Sequence, residues 1–465
     1  IISVLLIIFS PNQLDIGFMT ILFINLFVST LIFLEFLISR FKSINLMSLV
    51  ILFLIGYFIV NFQVPLTYLF DFNPSFEYFN FWYWGDFSVI SYSVAISSCS
   101  IIFFFLSYMI FFDKKIVNKK SKVNIPKFNY FTLILVCYIL YFSFFVTSGT
   151  YALGAYDFST ASSSSSYFLS FFDICLKLLI LLHTYKFYNE NNKNISLLTY
   201  VRSFNPFVLF IVFWHIFFSI YVGDRGPVIS YLLLIFLPIL IFNFKGFKNQ
   251  FLLLTILFLG SVFLSYIGEI RSRSFDDSYL ERLSTSNINS RYGYYDSDNI
   301  LFNSTIELAL SGRCLNHAII NVPSKQDYFY GYFQFQHLVS SIPFLNGFML
   351  NYVFDYDSEF DGSANLITYF IQGKNPNYGD GTSINADLYL DFGLYGPIFG
   401  LFLLGSFFSR WDKILISNTK ITFINWVFIM IFFSGSIYLS RAAIGYYIQE
   451  IIQIYIVFFL IKNFK

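Results

Sequence analysis

The feature that most constrains this chain is a series of apolar runs, each about 20 residues long, that recur from its beginning to its end. An apolar run of that length can cross the hydrocarbon core of a bilayer as a helix. The composition agrees, because 57% of the residues are hydrophobic and 12% are charged, whereas a soluble domain has about 25% charged residues. The sequence therefore predicts an all-α, polytopic membrane protein.

We predict about 12 spans, the first of them partial. Their limits are 1–9, 18–39, 44–62, 88–112, 128–149, 166–188, 204–222, 227–244, 251–270, 391–409, 421–441 and 444–463. The expected domains are a first part of the helix bundle (1–270), one long loop (271–390) and a second part of the bundle (391–465). Within the loop, 300–320 and 330–345 have the pattern of amphipathic helices that lie on a membrane surface.

Lysine determines the predicted orientation. The segment 113–127 carries six lysines, and smaller basic loops occur at 40–42, 186–202, 245–248 and 410–420. With twelve spans these loops all fall on one side, which the positive-inside rule makes the cytoplasm. We therefore expect a bacterial inner-membrane protein whose 271–390 loop faces the periplasm.

Arginine has the opposite distribution. Seven arginines are expected outside, at positions 225, 271, 273, 282, 291, 313 and 441. Because guanidinium is a rigid bidentate donor for phosphate, the pattern predicts a pyrophosphate-binding site. We assign it to Arg225, Arg271, Arg273, Arg313 and Arg441. The alternative is that these arginines pair with outer carboxylates.

Several ionisable residues fall inside the predicted spans. Asp173 and Lys177 are four residues apart in one span, so we expect them to form an ion pair. His215 and Glu450 also lie within spans, and Glu450 either faces an outer cavity or holds an arginine such as Arg441.

Other classes of site leave no trace in the sequence. There is no nucleotide-binding loop, no His/Cys spacing typical of a metal site and no serine-hydrolase motif. The positive charge is spread over short loops, so no nucleic-acid partner is expected. Since ATP is lacking at the outer face, an enzyme there must use a substrate that is already activated, such as a lipid-linked sugar pyrophosphate.

Three segments carry a family resemblance. They are GDRGPVISYLL (223–233), YFYGYFQFQHLVSSIPF (328–344) and GTSINADLYLDFGLYGPIFG (381–400). In this order they resemble the Wzy-type O-antigen polymerase family, over about 223–441 in motifs and over the whole chain in topology. The matching positions of the last segment are Asp387, Tyr389, Phe392, Gly393 and Gly396.

The resemblance implies a GT-C-like helix bundle that polymerises lipid-linked O-antigen repeat units. Such an enzyme transfers a glycan chain from undecaprenyl pyrophosphate to the terminal sugar hydroxyl of another lipid-linked unit, with inversion and with no metal or cofactor. Its implied partners are the undecaprenyl-pyrophosphate-linked oligosaccharide, membrane lipid and a chain-length regulator protein. The alternatives are an O-antigen ligase-like glycosyltransferase, a flippase or other transporter, and a structural scaffold.

Three residues are candidates for the base that deprotonates the acceptor hydroxyl. His337 ranks first, because it lies on an amphipathic helix of the loop and an ordinary histidine pKa of about 6.5 suits a base near neutral pH. Asp387 ranks second, with binding of a sugar hydroxyl as its alternative role. His317 ranks third and stands one helical turn from Arg313. The alternative for each histidine is that it anchors its helix at the interface.

Overall fold

The computed structural model describes most of the chain. The described residues are 1–41, 48–70, 83–112, 130–149, 151, 162, 164–190, 197–243, 260, 300–342, 345–349, 360–376, 379–416 and 421–463. Over these ranges the regular secondary structure is helical and no strand is present. The all-α prediction is therefore confirmed for the part of the chain that the structure describes.

The α-helices are numbered here in chain order. They are α1 Ile2–Ile8, α2 Ile16–Phe41, α3 Leu49–Leu69, α4 Ile90–Phe112, α5 Tyr130–Thr147, α6 Ser165–Glu190, α7 Leu197–Ser203, α8 Pro206–Val222, α9 Arg225–Asn243, α10 Ile300–Ala309, α11 Arg313–Asn321, α12 Tyr332–Val339, α13 Leu345–Met349, α14 Ser363–Gln372, α15 Ile384–Phe392, α16 Tyr395–Ile416, α17 Phe423–Ser434 and α18 Ile444–Asn463.

Six helices of the described ranges are long and apolar enough to cross a membrane, namely α2, α3, α4, α5, α6 and α18. Shorter apolar helices occur at Pro206–Val222, Gly226–Pro238 and Phe423–Ser434. These helices are consistent with a membrane protein. The count of about 12 spans and the GT-C-like arrangement stay predictions, and the predicted span 251–270 lies outside the described residues except for Gly260.

Several helix boundaries differ from the sequence prediction. The helix predicted at 44–62 is α3, Leu49–Leu69, and the one predicted at 421–441 is α17, Phe423–Ser434. The tenth predicted span was expected to begin at residue 391, but that residue belongs to α15 and a new helix begins at Tyr395. The break falls at Gly393, whose φ of 59° favours glycine. The segment 300–320 is two helices, α10 and α11, joined by a 3-10 turn that ends at Gly312. A Cβ on Gly312 would lie 2.4 Å from the Val60 carbonyl oxygen, so this turn lies directly against α3.

The chain divides into two compact units. The first comprises residues 1–118, 305–419 and 435–449, and the second comprises 119–304, 420–434 and 450–465. Each unit is assembled from separate stretches of sequence. The predicted division into 1–270, 271–390 and 391–465 follows the sequence order and stays a prediction.

In the first unit, α4 packs closely against α16. A Cβ on Gly405 of α16 would lie 2.5 Å from the Phe104 carbonyl oxygen of α4, so glycine allows the two backbones to approach. On another side of α4, the ring of Phe105 stacks on that of Phe33 of α2, with centroids 4.3 Å apart. These contacts between apolar helices form the core of the unit.

The first turn of α3 is capped by two side chains. Ser48, the N-cap residue, accepts a hydrogen bond from the backbone N–H of Ile51. Asp412, which lies on α16, accepts from the backbone N–H groups of Leu49 at 2.9 Å and Val50 at 3.3 Å. The Tyr108 hydroxyl also donates to Asp412, at 2.9 Å. The donors that open a helix need such partners, and here a buried carboxylate from a distant helix supplies them.

In the second unit, α6, α9 and α18 carry a cluster that we call the Lys177 network, made of Asp173, Lys177, Tyr231 and Glu450. The Lys177 ammonium lies 2.8 Å from the Asp173 carboxylate and 2.9 Å from that of Glu450. The Tyr231 hydroxyl donates to Asp173 at 2.5 Å. The predicted ion pair between Asp173 and Lys177 is confirmed, and among the described residues Glu450 pairs with this lysine.

Candidate active site

Two of the three family-like segments lie against each other in the first unit. The backbone N–H of Phe329 donates to the Leu390 carbonyl at 3.0 Å, and that of Tyr330 donates to the Asp391 carbonyl at 2.9 Å. The segments 328–344 and 381–400 therefore meet at the C-terminal end of α15, just before α12 begins. Residues that lie between the two segments in the sequence also contact this region.

Asp391 fixes the orientation of α12. Its side chain is fully buried, and its two oxygens accept hydrogen bonds from the backbone N–H groups of Phe333 and Gln334, each at 3.1 Å. These donors belong to the first turn of α12, where a helix favours a carboxylate. Asp391 therefore holds α12, and with it His337, in a defined position relative to α15.

Asp387 lies one turn before Asp391 and is also fully buried. One oxygen accepts from the Ser363 hydroxyl and the other from the Gln334 side-chain amide, both at 2.6 Å. Burial raises the pKa of Asp387 above its ordinary 3.8, while the neighbouring His337 and the two hydrogen bonds act in the opposite direction. The described hydrogen-bond donors to this carboxylate are therefore both neutral groups.

His337 lies on α12 and is 5% exposed. Its Nε2 atom has no hydrogen-bond partner among the described residues. Burial lowers the pKa of His337 below its ordinary 6.5, although the Asp387 carboxylate and a hydrogen bond with the Gln449 side chain act in the opposite direction. The lowered pKa favours the neutral imidazole, which can accept a proton. We call His337, Asp387, Ser363 and Gln334 the His337 site.

The start of α18 packs on the imidazole of His337. The Tyr446 ring lies 4.6 Å from the imidazole, centroid to centroid, in a T-shaped contact. The preceding residue is Gly445, and a Cβ there would lie 2.2 Å from the His337 Cδ2 atom. Any larger side chain at position 445 would displace the ring. Gly445 therefore lets the imidazole lie directly against the backbone of α18.

His317, the third candidate base, is placed differently. Its ring lies against Gly85, where a Cβ would be 2.9 Å from the imidazole. Burial lowers the pKa of His317 to about 4, and the positive charges of Arg313 and Lys325 act in the same direction. No carboxylate is among the groups that shift its pKa. His317 is therefore a weaker base than His337, whose neighbouring carboxylate favours the protonated form.

Arg313 is 4% exposed, and its guanidinium donates to the Asp380 carboxylate in a short buried ion pair. Asp380 also accepts a hydrogen bond from the Gln372 side chain at 2.5 Å and donates its backbone N–H to Thr368 at 2.9 Å. These contacts join α11 to α14 and to the segment that connects α14 with α15. The ion pair with Asp380 therefore gives Arg313 a structural role.

Arg441 ends a short 3-10 helix, Leu439–Arg441. Its guanidinium makes no hydrogen bond or ion pair with any residue in the described part of the chain. Burial raises the pKa of the Cys314 thiol to about 11, and both Arg313 and Arg441 oppose that rise. The two arginines are therefore near one buried thiol, and only Arg313 is engaged by a carboxylate.

The remaining predicted arginines cannot be placed. Arg225 begins α9, but its side chain lies outside the described residues, as do Arg271 and Arg273 altogether. The pyrophosphate site therefore stays a prediction. Within the described ranges, no group of three or more His, Cys, Asp or Glu residues could hold a metal ion.

Sequence reasoning missed the residues that support the site, which are Gln334, Ser363, Asp391 and Gly445. Only Asp391 carried a usable signal, because its spacing of four from Asp387 places both acids on one face of a helix. Ser363 and Gly445 reach the site by tertiary contact. Comparisons of the chain with protein-family models, curated proteins and solved structures gave no match.

Proposed function

We propose that the chain is a membrane glycosyltransferase that polymerises lipid-linked O-antigen repeat units at the periplasmic face of a bacterial inner membrane. One observation carries this proposal. A buried histidine, whose Nε2 has no hydrogen-bond partner among the described residues, lies near a buried carboxylate, at the point where two segments that resemble the Wzy-type polymerases meet. That arrangement suits the deprotonation of a sugar hydroxyl.

In the proposed reaction, the terminal sugar hydroxyl of one lipid-linked unit gives its proton to Nε2 of His337. The hydroxyl oxygen forms a bond to the anomeric carbon of the donor glycan as the bond from that carbon to pyrophosphate breaks, with inversion. Undecaprenyl pyrophosphate leaves with the bonding electrons. The Asp387 carboxylate stabilises the imidazolium that forms, and the proton later passes to solvent.

Arg441 is the best candidate to stabilise the leaving pyrophosphate, because its guanidinium is not engaged by the described residues. Arg225, Arg271 and Arg273 stay predicted pyrophosphate-binding residues. Arg441→Lys is expected to lower turnover about tenfold or more, since the bidentate fork is lost while the charge remains. Arg410→Lys, at an exposed position of α16, is the matched control. Equal turnover of both variants would remove Arg441 from the pyrophosphate site.

The deciding experiment is deletion of the gene followed by a gel of the surface polysaccharide. A polymerase predicts a single repeat unit on lipid A core, and a ladder that returns with the wild-type gene but not with His337→Gln. Complete loss of O-antigen would contradict the proposal and indicate a ligase or a flippase.

A ligase-like glycosyltransferase is the second candidate. The same base and arginine would serve it, because only the acceptor differs, being lipid A core instead of a lipid-linked repeat unit. The gel separates the two, since loss of a ligase leaves the polymer on undecaprenyl pyrophosphate and none on the core.

A further inference from the structure

The short helix α15 is buried on all sides. Every residue from 382 to 391 is buried, although three of them carry amide or carboxylate side chains, namely Asn385, Asp387 and Asp391. Asp387 and Asp391 are four residues apart on one face of the helix, and both accept hydrogen bonds from α12. Asn385 is two residues before Asp387, so its side chain begins about 200° away around the helix. Its contacts therefore show what holds the opposite side of α15.

Asn385 lies among three acceptors that two long apolar helices provide. Its side-chain amide nitrogen is 2.8 Å from the Tyr57 hydroxyl oxygen, 3.0 Å from Asn61 Oδ1 and 3.0 Å from the Ser97 hydroxyl oxygen. Tyr57 and Asn61 belong to α3, and Ser97 belongs to α4. All four side chains are buried. The Asn385 amide therefore joins α15 to two helices that are long enough to cross a membrane.

The three acceptors are themselves ordered by hydrogen bonds. The Tyr57 hydroxyl donates to the backbone carbonyl of Ser97 at 2.9 Å, and the Asn61 side-chain amide donates to the backbone carbonyl of Tyr57 at 3.0 Å. The Ser97 hydroxyl donates to Asn61 Oδ1 at 3.3 Å. The hydrogens of these groups are thus engaged with one another, and the oxygens present lone pairs to Asn385. A buried network of this kind is costly to leave incomplete, so it holds the amide in one place.

We propose that Asn385 is a positioning residue of the His337 site. It fixes the rotation of α15 about its own axis from the side opposite to Asp387, and the Asp387 carboxylate is thereby kept near the imidazole of His337. Contacts through Asp387 and Asp391 alone would leave the helix free to turn about a single face. The inference rests on the proposed function only for its effect on turnover, because the placement of Asp387 can be measured without turnover.

The pKa of His337 reports where the Asp387 carboxylate lies, because a nearby negative charge favours the protonated ring. The other titratable groups in this region are Tyr446, whose ring contacts the imidazole, Asp361, which acts on Tyr446, and Asp391, which is near Asp387. None of these groups is replaced in the variants below. A fall in the pKa of His337 therefore indicates that the Asp387 carboxylate has moved away.

The measurement is an NMR titration of full-length protein in lipid nanodiscs, isotope-labelled at its histidines. The chain has four histidines, and the signal of His337 is the one that is missing from the His337→Gln protein. Asn385→Ala is expected to lower the pKa of His337 by about 0.5 or more, and turnover about tenfold or more. Ser97→Ala removes one of the three acceptors and should lower the pKa in the same direction by a smaller amount.

A second buried asparagine provides the matched control. Asn316 of α11 accepts a hydrogen bond at 2.5 Å from the hydroxyl of Ser93, which lies one helical turn before Ser97 on α4. Asn316→Ala and Ser93→Ala should lower the unfolding temperature, as Asn385→Ala should, because buried polar groups lose their partners. They should leave the pKa of His337 unchanged, since α11 carries no residue of the His337 site. An equal fall of the pKa in Asn316→Ala and Asn385→Ala, or no fall in Asn385→Ala and Ser97→Ala, would overturn the proposal.

The outcome is separable from that of the proposed function. If Asn385→Ala lowers the pKa of His337 but deletion of the gene leaves the polysaccharide ladder intact, the positioning role stands and the polymerase proposal fails. If the ladder depends on the gene but the pKa does not respond, only the positioning proposal fails. Should Asn385→Ala not fold, the comparison of Ser97→Ala with Ser93→Ala decides in the same way.

Discussion

The His337 site and the Lys177 network both bury carboxylates, but they compensate the charge in different ways. In the Lys177 network, one ammonium lies within 2.9 Å of the carboxylates of both Asp173 and Glu450. In the His337 site, the described donors to Asp387 are the neutral groups of Ser363 and Gln334. In the Lys177 network, the carboxylates are already paired with a positive charge. In the His337 site, the carboxylate can form an ion pair when the neighbouring imidazole takes up a proton.

This difference indicates which region can perform chemistry. Lys177 is already paired with two carboxylates, so adding or removing a charge there would cost free energy. The Nε2 atom of His337 has no hydrogen-bond partner among the described residues and a carboxylate lies nearby, so protonation of the ring creates an ion pair inside the protein. We therefore assign the proposed proton transfer to the His337 site and a structural role to the Lys177 network.

The largest expected effect is on turnover at the His337 site. His337→Gln keeps a polar side chain of similar length but removes the base, so turnover of purified lipid-linked repeat unit should fall by about 10²–10⁴-fold. The unfolding temperature should change little. His183→Gln is the control, because His183 lies in the second unit and contacts Ser203 at 3.1 Å. Near-normal turnover of His337→Gln would place the base elsewhere.

The Lys177 network should respond through stability instead. Lys177→Met leaves the carboxylates of Asp173 and Glu450 without a cation, which should cost about 3–5 kcal/mol. The thermal unfolding of the protein in nanodiscs measures this loss. Adding Glu450→Gln to Lys177→Met should recover part of it, since one uncompensated charge is removed. A Lys177→Met protein as stable as wild type would show that the network does not hold the unit together.

A smaller effect is expected from packing at the His337 site. Gly445→Ala puts a methyl group 2.2 Å from the imidazole, so it should destabilise by about 1–3 kcal/mol. Turnover should fall as well, because the ring is displaced. Gly379→Ala is the control, since a Cβ there has no neighbour within 4 Å. Equal unfolding temperatures for the two variants would mean that α18 does not press on His337.

The smallest effect is a change in pH dependence. The base must be unprotonated, and burial holds the pKa of His337 below 6.5, so kcat/KM should fall with decreasing pH only below that value. Asp387 raises this pKa, and Asp387→Asn should therefore move the acid limb to lower pH. Asp387 and Asp361 both raise the pKa of Tyr446, whose ring contacts the imidazole. A limb that moves to higher pH in Asp387→Asn would contradict the assigned pairing.

Local spacing explains which parts of these regions could be predicted. Asp173 and Lys177 are four apart on one helix, so their pairing followed from the sequence. Asp387 and His337 are fifty positions apart, and no local pattern predicts that they meet. Asp387 was predicted as a site residue from the family resemblance, and His337 from the amphipathic pattern of its helix. Their meeting depends on Asp391 holding the first turn of α12, which only the folded chain reveals.

Helix boundaries, too, could be predicted only in part from the sequence. Apolar runs predicted where α2, α4 and α5 lie to within a few residues. The break between α15 and α16 could not be read from hydropathy, because apolar residues continue through it. It depends on the backbone at Gly393, where a Cβ would lie 2.9 Å from the Tyr328 ring. Close approach of a distant segment ends the helix there, and hydropathy carries no such information.

The cap on α3 has a consequence for the order in which the chain is assembled. The N–H groups of Leu49 and Val50 are satisfied by Asp412, which is 363 and 362 positions away. During synthesis, α3 enters the membrane long before Asp412 leaves the ribosome, so its first turn must use water or lipid head groups in the meantime. A nascent chain stopped before α16 should therefore hold α3 loosely, and exchange of those amide hydrogens should slow only after that late helix has arrived.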